Sequence, residues 1–588
     1  MSAAERRACL IDLACLLGAA LLVIGAGIGL RDPWPADEPR FALIARDMLA
    51  SGQWLIPTIG GDLYADKPPV FFWAIALALL VTGSLRIAFL LPSLLAALGT
   101  LILVHDLARR LWDREAALAA DLLLLASVQF LIQARSAQID GFLLFWTTLG
   151  LYGLARHLLL GPAWSWYAVG GLACGIGVIT KGVGFLPLLA LIIWPVLRWC
   201  GFPVPSRGGS LLRKALAPVA MFAGIAVWIA PMMMTVAASN DPALAAYQDE
   251  ILFDQTVDRY ASAWHHIRAP WYFVVNVIPA LWLPGTALLP WLVPRWRGAW
   301  RERQPAVWLF LAWTITVVLF FSLSPGKRGV YVLPALPAFV LAAAPFLPDL
   351  WKRLGPQRVG AALTVLLTAA CLAAHVWFEA GGESAMRLRE EHGVTSTAPL
   401  ALIAALCAFA LVAFRPRRGL AAFAVSLWAA LIVQGMWINP MIDTTRSGRA
   451  FIERLARALP PGAELGIVAY REEFLLHLPF PATNFGHRRW REDPQEMMDA
   501  SRWLSVAPGR VLLVDETRLP PCFGDPTFHK KAGVSAGKTW WLVSSRMAPE
   551  CIRGGDLGKA RVYVPPGSGP HAGHQPKRWT LRQSDPGS

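Results

Sequence analysis

Thirteen predominantly apolar runs, near 10–30, 86–105, 116–133, 139–160, 166–180, 183–200, 212–236, 271–294, 306–323, 328–348, 358–378, 398–414 and 418–437, dominate this sequence. In hydrocarbon each backbone amide must find its partner within its own segment, so such runs fold as helices. A chain of 588 residues that is 56% hydrophobic and only 16% charged cannot hide so many runs in a soluble core. The fold class is a polytopic α-helical membrane protein with about 13 transmembrane helices. The stretch Val70–Thr82 is also apolar, but it is short, follows Pro68-Pro69 and ends at Gly83-Ser84. Its length predicts a re-entrant or interfacial helix. The first run is read as a retained helix, because charged sequence and further spans follow it.

Cation placement orients the spans. With Arg6 and Arg7 in the cytoplasm, strict alternation puts the basic loops around 109–114, 198–214, 295–303, 352–358 and 415–418 on that same side. The opposite face then receives Pro33–Pro69, the turns at Asp140 and Lys181, the loop 237–270, the SPGKR turn at 324–328 and everything after about 443. Counting Val70–Thr82 as a crossing would invert this pattern. The net charge of +15 resides in these short loops, which excludes a nucleic-acid partner and points to the lipid bilayer.

The chemistry gathers on the face that lacks the basic loops. Pro33–Pro69 carries the acids Asp37, Glu38 and Asp66, with the cations Arg40 and Lys67 close behind them. Between them Phe41, Ile44, Met48 and Leu49 share one helical face while Arg46 and Asp47 point away, which predicts a short helix lying flat on the membrane surface. Asp140, Lys181, Arg259, His265, His266, Lys327 and Arg328 reach the same face from other loops. Ionisable groups at a bilayer edge are costly unless they pair, reach water or bind something. Carboxylates set among cations suit a reaction in which an acceptor loses a proton while a phosphate leaves. The sequence has no Walker loop, and no GxGxxG follows a strand, so neither ATP hydrolysis nor a dinucleotide is supported. Plainer readings stand beside these. Asp37 and Asp140 sit where helix caps would, Arg40 and Lys67 could pair with Glu38 and Asp66, and Lys181, Arg259 and Lys327 could snorkel to headgroups.

The runs DEPRFALIARDML, ADKPP, SAQIDGFLLFW, ITKG, RAPWYF and FFSLSPGKRGVYVLPALPAF occur in this order. With them the chain resembles the polyprenyl-phosphate-sugar-dependent membrane glycosyltransferases, the family of lipid A 4-amino-4-deoxy-L-arabinose transferase and the protein O-mannosyltransferases. The resemblance covers roughly residues 8–440. It implies a C-type glycosyltransferase fold, a polyprenyl-phosphate-linked sugar donor, and a lipid A, glycan or protein acceptor in the periplasm. It places Asp37 as catalytic base, Asp140 as a second acid beside the acceptor, and Glu38 as the alternative acid. Arg40 and Lys67 become donor-phosphate ligands, with Lys181, Arg259, Lys327 and Tyr331 as further contacts. The family's glutamate before the lysine is Asp66 here, and Thr256 aligns with its metal-binding histidine. A divalent metal such as zinc therefore has Asp66, His265 and His266 as candidate ligands. A lipid-sugar transporter is the competing class. It should show paired halves and mid-span charges, whereas the charges here crowd one face.

From about 443 the pattern changes. Leu465–Tyr470, Val511–Asp515 and Trp540–Ser544 read as short buried strands. The expected organisation is a transmembrane domain over 1–442 with its catalytic loop at 31–85, a small periplasmic α/β domain over 443–564, and a disordered tail over 565–588. Cys522 and Cys551 are the only cysteines in the exported part and predict one disulfide. A monomer is expected.

Overall fold

A computed structural model describes residues 3–204, 209–253, 267–492, 494–535 and 537–568. It divides into two units, Met1–Phe41 with Tyr64–Ser447, and Ala42–Leu63 with Gly448–Ser588. The loop between the first two apolar runs is thus shared: its ends belong to the helical unit and its middle to the C-terminal unit. The expected tail falls largely on 569–588, outside the described residues.

Seven helices of the described chain are long and apolar enough to cross a membrane: Arg7–Gly25, Leu85–Leu111, Ile139–Leu160, Leu216–Ser239, Pro305–Leu323, Leu354–Glu379 and Pro416–Ala458. Two bent pairs raise this to nine. The other expected runs are helical too, but they fall short in length or hydropathy, as Val183–Trp199 and Ala398–Phe414 do. Large apolar side chains left exposed, such as Leu323, Phe409 and Val412, make the lipid-facing coat such helices require.

The two bends share one solution to a common problem. Arg114–Leu125 meets Val128–Ala134 at 66°, and Phe273–Leu281 meets Thr286–Arg301 at 99°. A break frees backbone groups that lipid cannot satisfy. Here the Val128 amide donates to the Leu283 carbonyl at 3.2 Å, joining one break to the other. The buried Gln129 then accepts from Trp282 Nε1 at 2.7 Å and donates to the Gly329 carbonyl at 2.9 Å. One amide side chain therefore ties both bends to the turn that follows SPGKR.

The C-terminal unit holds a six-stranded sheet in the order β6-β7-β5-β3-β4-β8. Its strands are β3 Glu464–Ile467, β4 Ala482–Asn484, β5 Arg510–Asp515, β6 Lys530–Ser535, β7 Lys538–Val543 and β8 Arg561–Tyr563. β3 runs parallel to β4 and β5, and the outer pairings are antiparallel. A two-stranded hairpin, β1 Thr58–Ile59 and β2 Asp62–Leu63, comes from the N-terminal loop. The three strands absent from the sequence reading are the weakly patterned ones. β4 and β8 have three residues each, and β6 is an exposed Lys-led edge with a register shift between Lys531 and Gly533. Charge and irregularity are how sheets blunt their edges, and both erase the alternation a reader looks for.

Two stability results follow from this unit. Cys522 and Cys551 are joined, with Cα atoms 5.7 Å apart and a sequence separation of 29. Replacing both by alanine should cost about 2–4 kcal/mol by freeing the unfolded loop, read as a lowered denaturation midpoint of the purified protein. The buried Asp515 provides a pH-dependent term. Burial alone would raise its carboxyl, but Lys538 and the Thr517 hydroxyl and amide outweigh that and hold it below the usual aspartate range. A depressed carboxyl stabilises the fold above its unfolded pKa, and this is lost as pH falls through the folded value. Asp515→Asn should thus lower the melting temperature at neutral pH and make little difference in strong acid. An equal loss at both pH values would contradict the assignment.

Candidate functional site

The first apolar helix ends at Gly25, and the chain turns into the loop through Arg31–Glu38. Two neighbouring acids there meet opposite fates. Glu38 is buried and accepts four hydrogen bonds: from Arg31 at 2.5 and 2.8 Å, from the Trp34 amide at 3.0 Å and from the Ala137 amide at 3.1 Å. Arg31 itself lies over the rings of Trp34 and Phe89. These four bonds occupy both oxygens of the Glu38 carboxylate. Asp37 is different. Arg40 stands 3.5 Å away and Arg328 3.6 Å away, ion-pair distances beyond those of a good hydrogen bond. Its side chain keeps 19% exposure, so its oxygens stay partly open. Arg40 pairs with Asp37 rather than with Glu38.

The Ala137 amide brings in the next element. Asp140 lies in the first turn of the helix Ile139–Leu160, and Lys181 is the last residue of Trp164–Lys181. Their side chains pair. An acid at a helix N-terminus and a base at a helix C-terminus each oppose their helix dipole, which is the local reason for this geometry. The Lys181 ammonium also lies 4.8 Å from the centre of the Tyr331 ring. Tyr331 and Arg328 belong to one turn, where the Tyr331 amide donates to the Arg328 carbonyl at 3.0 Å. The structure therefore brings together Asp37, Arg40 and Arg328 in one group, and Asp140, Lys181 and Tyr331 in a second, joined by the 328–331 turn.

An aromatic cluster backs these groups. Phe71 packs against Phe41 at 5.6 Å and Phe142 at 5.5 Å, while Phe72 packs against Phe41 at 5.7 Å and Tyr64 at 5.9 Å. The helix Val70–Thr82, expected from its length, is thus pinned at its start. Its far end leaves Leu77, Leu80 and Val81 exposed, an apolar tip suited to lipid.

Lys327 turns to backbone carbonyls. It is 3% exposed and donates to the carbonyls of Arg268, at 3.0 Å, and Ser324. Burial holds its ammonium below the usual lysine range. It staples the SPGKR turn to the 267–272 run, whose Ile267 bridges Gly326. Arg328, one residue on, is the cation that reaches the acid. Asp66 is buried, and Lys67 donates to its carbonyl at 3.0 Å. Arg259, His265 and His266 lie outside the described residues. Among the described residues no group of three His, Cys, Asp or Glu side chains gathers as a metal centre. Asp66 is thus the one described member of the candidate zinc set.

Sequence reasoning missed the second layer. Asp32 is bound by Arg86 at 3.0 and 2.9 Å, and Asp443 accepts from the Asp32 amide and Trp34 Nε1. Arg135 donates to the carbonyls of Val23, Ile24, Ala26 and Leu431, closing the C-terminal end of the first helix. The available signal was an Arg-Asp pair directly after a span, as in Arg31-Asp32. The flat helix also differs from expectation. Glu38–Ser51 is helical, but Arg46 donates to the Leu476 carbonyl and to the Tyr563 hydroxyl, which in turn donates to the Asp47 carboxylate within the C-terminal unit. Its polar face is covered by protein instead of facing water.

Comparison with known proteins follows this geometry. The family described as Dolichyl-phosphate-mannose-protein mannosyltransferase matches residues 66–233. The chain is 32% identical over 309 residues to the undecaprenyl phosphate-alpha-4-amino-4-deoxy-L-arabinose arabinosyl transferase of Pseudomonas aeruginosa PAO1, covering 52% of this chain and 53% of that one. It is 32% identical over 339 residues to a second such transferase of Pseudomonas fluorescens Pf0-1, covering 57% and 59%. The chain thus spans about half the length of the curated relatives it matches. The crystal structure of ArnT from Cupriavidus metallidurans bound to undecaprenyl phosphate superposes with a TM-score of 0.71 at 20% identity, over 91% of this chain and 99% of that one. Its apo form gives 0.67 at 19% identity, over 93% and 100%. The resemblance read from the motifs is borne out, and the fold is the ArnT-like C-type glycosyltransferase fold.

Proposed function

We propose that the chain is a glycosyltransferase that moves a sugar from undecaprenyl phosphate to lipid A or another envelope acceptor at the periplasmic face of the inner membrane. The observation that carries this reading is the partly open carboxylate of Asp37, held between Arg40 of its own loop, which also bears Lys67, and Arg328 of the 328–331 turn. The similar transferases are named for such a donor, and the fold match holds undecaprenyl phosphate.

In this reading Asp37 takes the proton of the acceptor as its oxygen attacks the anomeric carbon. The bond from that carbon to the phosphate oxygen breaks, and the electron pair leaves with the polyprenyl phosphate. Arg40, Lys67 and Arg328 stabilise the growing phosphate charge. Asp140 orients the acceptor, and Lys181, Tyr331 and Arg259 add contacts to the donor phosphate. The polyprenyl tail stays in the bilayer, since each buried CH₂ holds it by about 0.8 kcal/mol, so transfer happens at headgroup depth. A transporter finds less support, because the charged groups form a carboxylate-and-cation site on one turn system.

Mass spectrometry of lipid A and envelope glycans from a deletion strain tests the function. A sugar lost from one component and restored by the gene identifies the acceptor, whereas unchanged envelopes under inducing conditions would contradict transfer. The membrane arrangement goes with this reading: thirteen spans, N-terminus inside, C-terminal unit outside, with Val70–Thr82 as a re-entrant helix. Reporter fusions after Asp113 and after Asp443 should report inside and outside respectively. Both on one side would sink the arrangement.

A further inference from the structure

The sheet of the C-terminal unit has an edge that ordinarily receives a ligand. In open α/β sheets, small molecules bind beyond the carboxyl ends of the parallel strands. Here the parallel strands are β5, β3 and β4, and the chain's own hairpin sits at the β3 and β4 ends of that edge. The Asn484 side chain, at the end of β4, donates to the Gly60 carbonyl at 2.8 Å. The His487 amide donates to Asp62 at 2.7 Å, and Arg561, paired across β4 and β8 with Asn484, stands 3.4 Å from the same carboxylate. Tyr470, just past β3, closes over the turn: a Cβ on Gly60 would come within 2.9 Å of its hydroxyl. Gly60 and Gly61 both take positive φ, at 60° and 97°, so only glycine fits this two-residue turn without strain.

We infer that the Gly60-Gly61 turn is an intramolecular ligand of the C-terminal unit, and that this seat positions the loop between Arg40 and Lys67. The turn presents a carbonyl, a carboxylate and no side-chain bulk, and the crevice answers with an amide, a backbone N–H, a guanidinium and a tight wall. The loop's ends carry the cations proposed to grip the donor phosphate, so this inference rests on that reading. A seated turn removes most of the freedom of a loop that would otherwise have to be ordered by the donor itself.

The test uses the full-length purified protein and the variants Asp62→Ala, Asn484→Leu and Gly60→Ala. Hydrogen exchange of residues 54–66 should quicken about tenfold, the worth of one charge-assisted hydrogen bond, while β5 keeps its wild-type protection and shows that the sheet is folded. Retention of undecaprenyl phosphate should weaken by a similar factor. Unchanged exchange in the hairpin would overturn the seat. A loosened hairpin with undiminished retention would overturn the positioning. Wild-type protein that fails to hold undecaprenyl phosphate would sink the proposed donor, while exchange alone still decides the seat.

Discussion

Asp37→Asn should lower sugar transfer by about 10²–10⁴-fold, the range for losing a positioned general base, while the protein still retains undecaprenyl phosphate. The expectation comes from comparing the acids of the helical unit. Glu38 spends its oxygens on Arg31 and two backbone amides, and Asp140 is paired with Lys181. Asp37 alone of these three is held only by longer ion pairs, to Arg40 and Arg328. Asparagine keeps the size and removes the charge, so Arg40 and Arg328 stay available to the phosphate. Transfer rate and donor retention measured on the same preparation separate the two roles. Near wild-type transfer would return Asp37 to a helix-capping role and move the base to Asp140.

Glu38→Ala should have the largest effect on stability. It leaves the buried Arg31 guanidinium without its carboxylate and two amides without their acceptor. Breaking one side of a buried pair costs about 3–5 kcal/mol, because the remaining charge stays out of water. The Ala137 contact couples this cost to the turn before Asp140, so transfer should fall as well. Arg31→Met with Glu38→Gln removes both charges together and should recover much of the lost melting temperature. A single Glu38→Ala that melts with the wild type would show that this pair does not hold the loop.

The loop proposed to carry the chemistry stood out in the sequence because membrane proteins leave few places for ions. Asp37, Arg40 and Lys67 stand out between apolar runs, and Asp140 and Lys181 stand out at helix ends. What could not be read is which member of each adjacent pair faces the site. Asp37 and Glu38 are equivalent in sequence, and the choice was made by Arg31 and by an amide 99 residues away. Lys327 and Arg328 likewise exchange roles, because the Arg268 and Ser324 carbonyls capture the ammonium. The polar face of the helix 38–51 read as solvated because nothing local shows that Tyr563 and Leu476 cover it. The bend at Leu283-Pro284 had only a proline as signal and the bend at Ser127 had none, and their stitching through Gln129 depends on tertiary packing.

The central claim is that one loop grips a lipid-linked phosphate and drives transfer from it. Its most direct measurement is the release of undecaprenyl phosphate from undecaprenyl-phosphate-linked sugars by the purified protein, with lipid A present and absent. Wild-type protein should release the lipid phosphate in step with sugar gained by lipid A. Lys67→Ala should release it more slowly and hold it more weakly. Lys67→Ala matching the wild type in both rate and retention would contradict the claim.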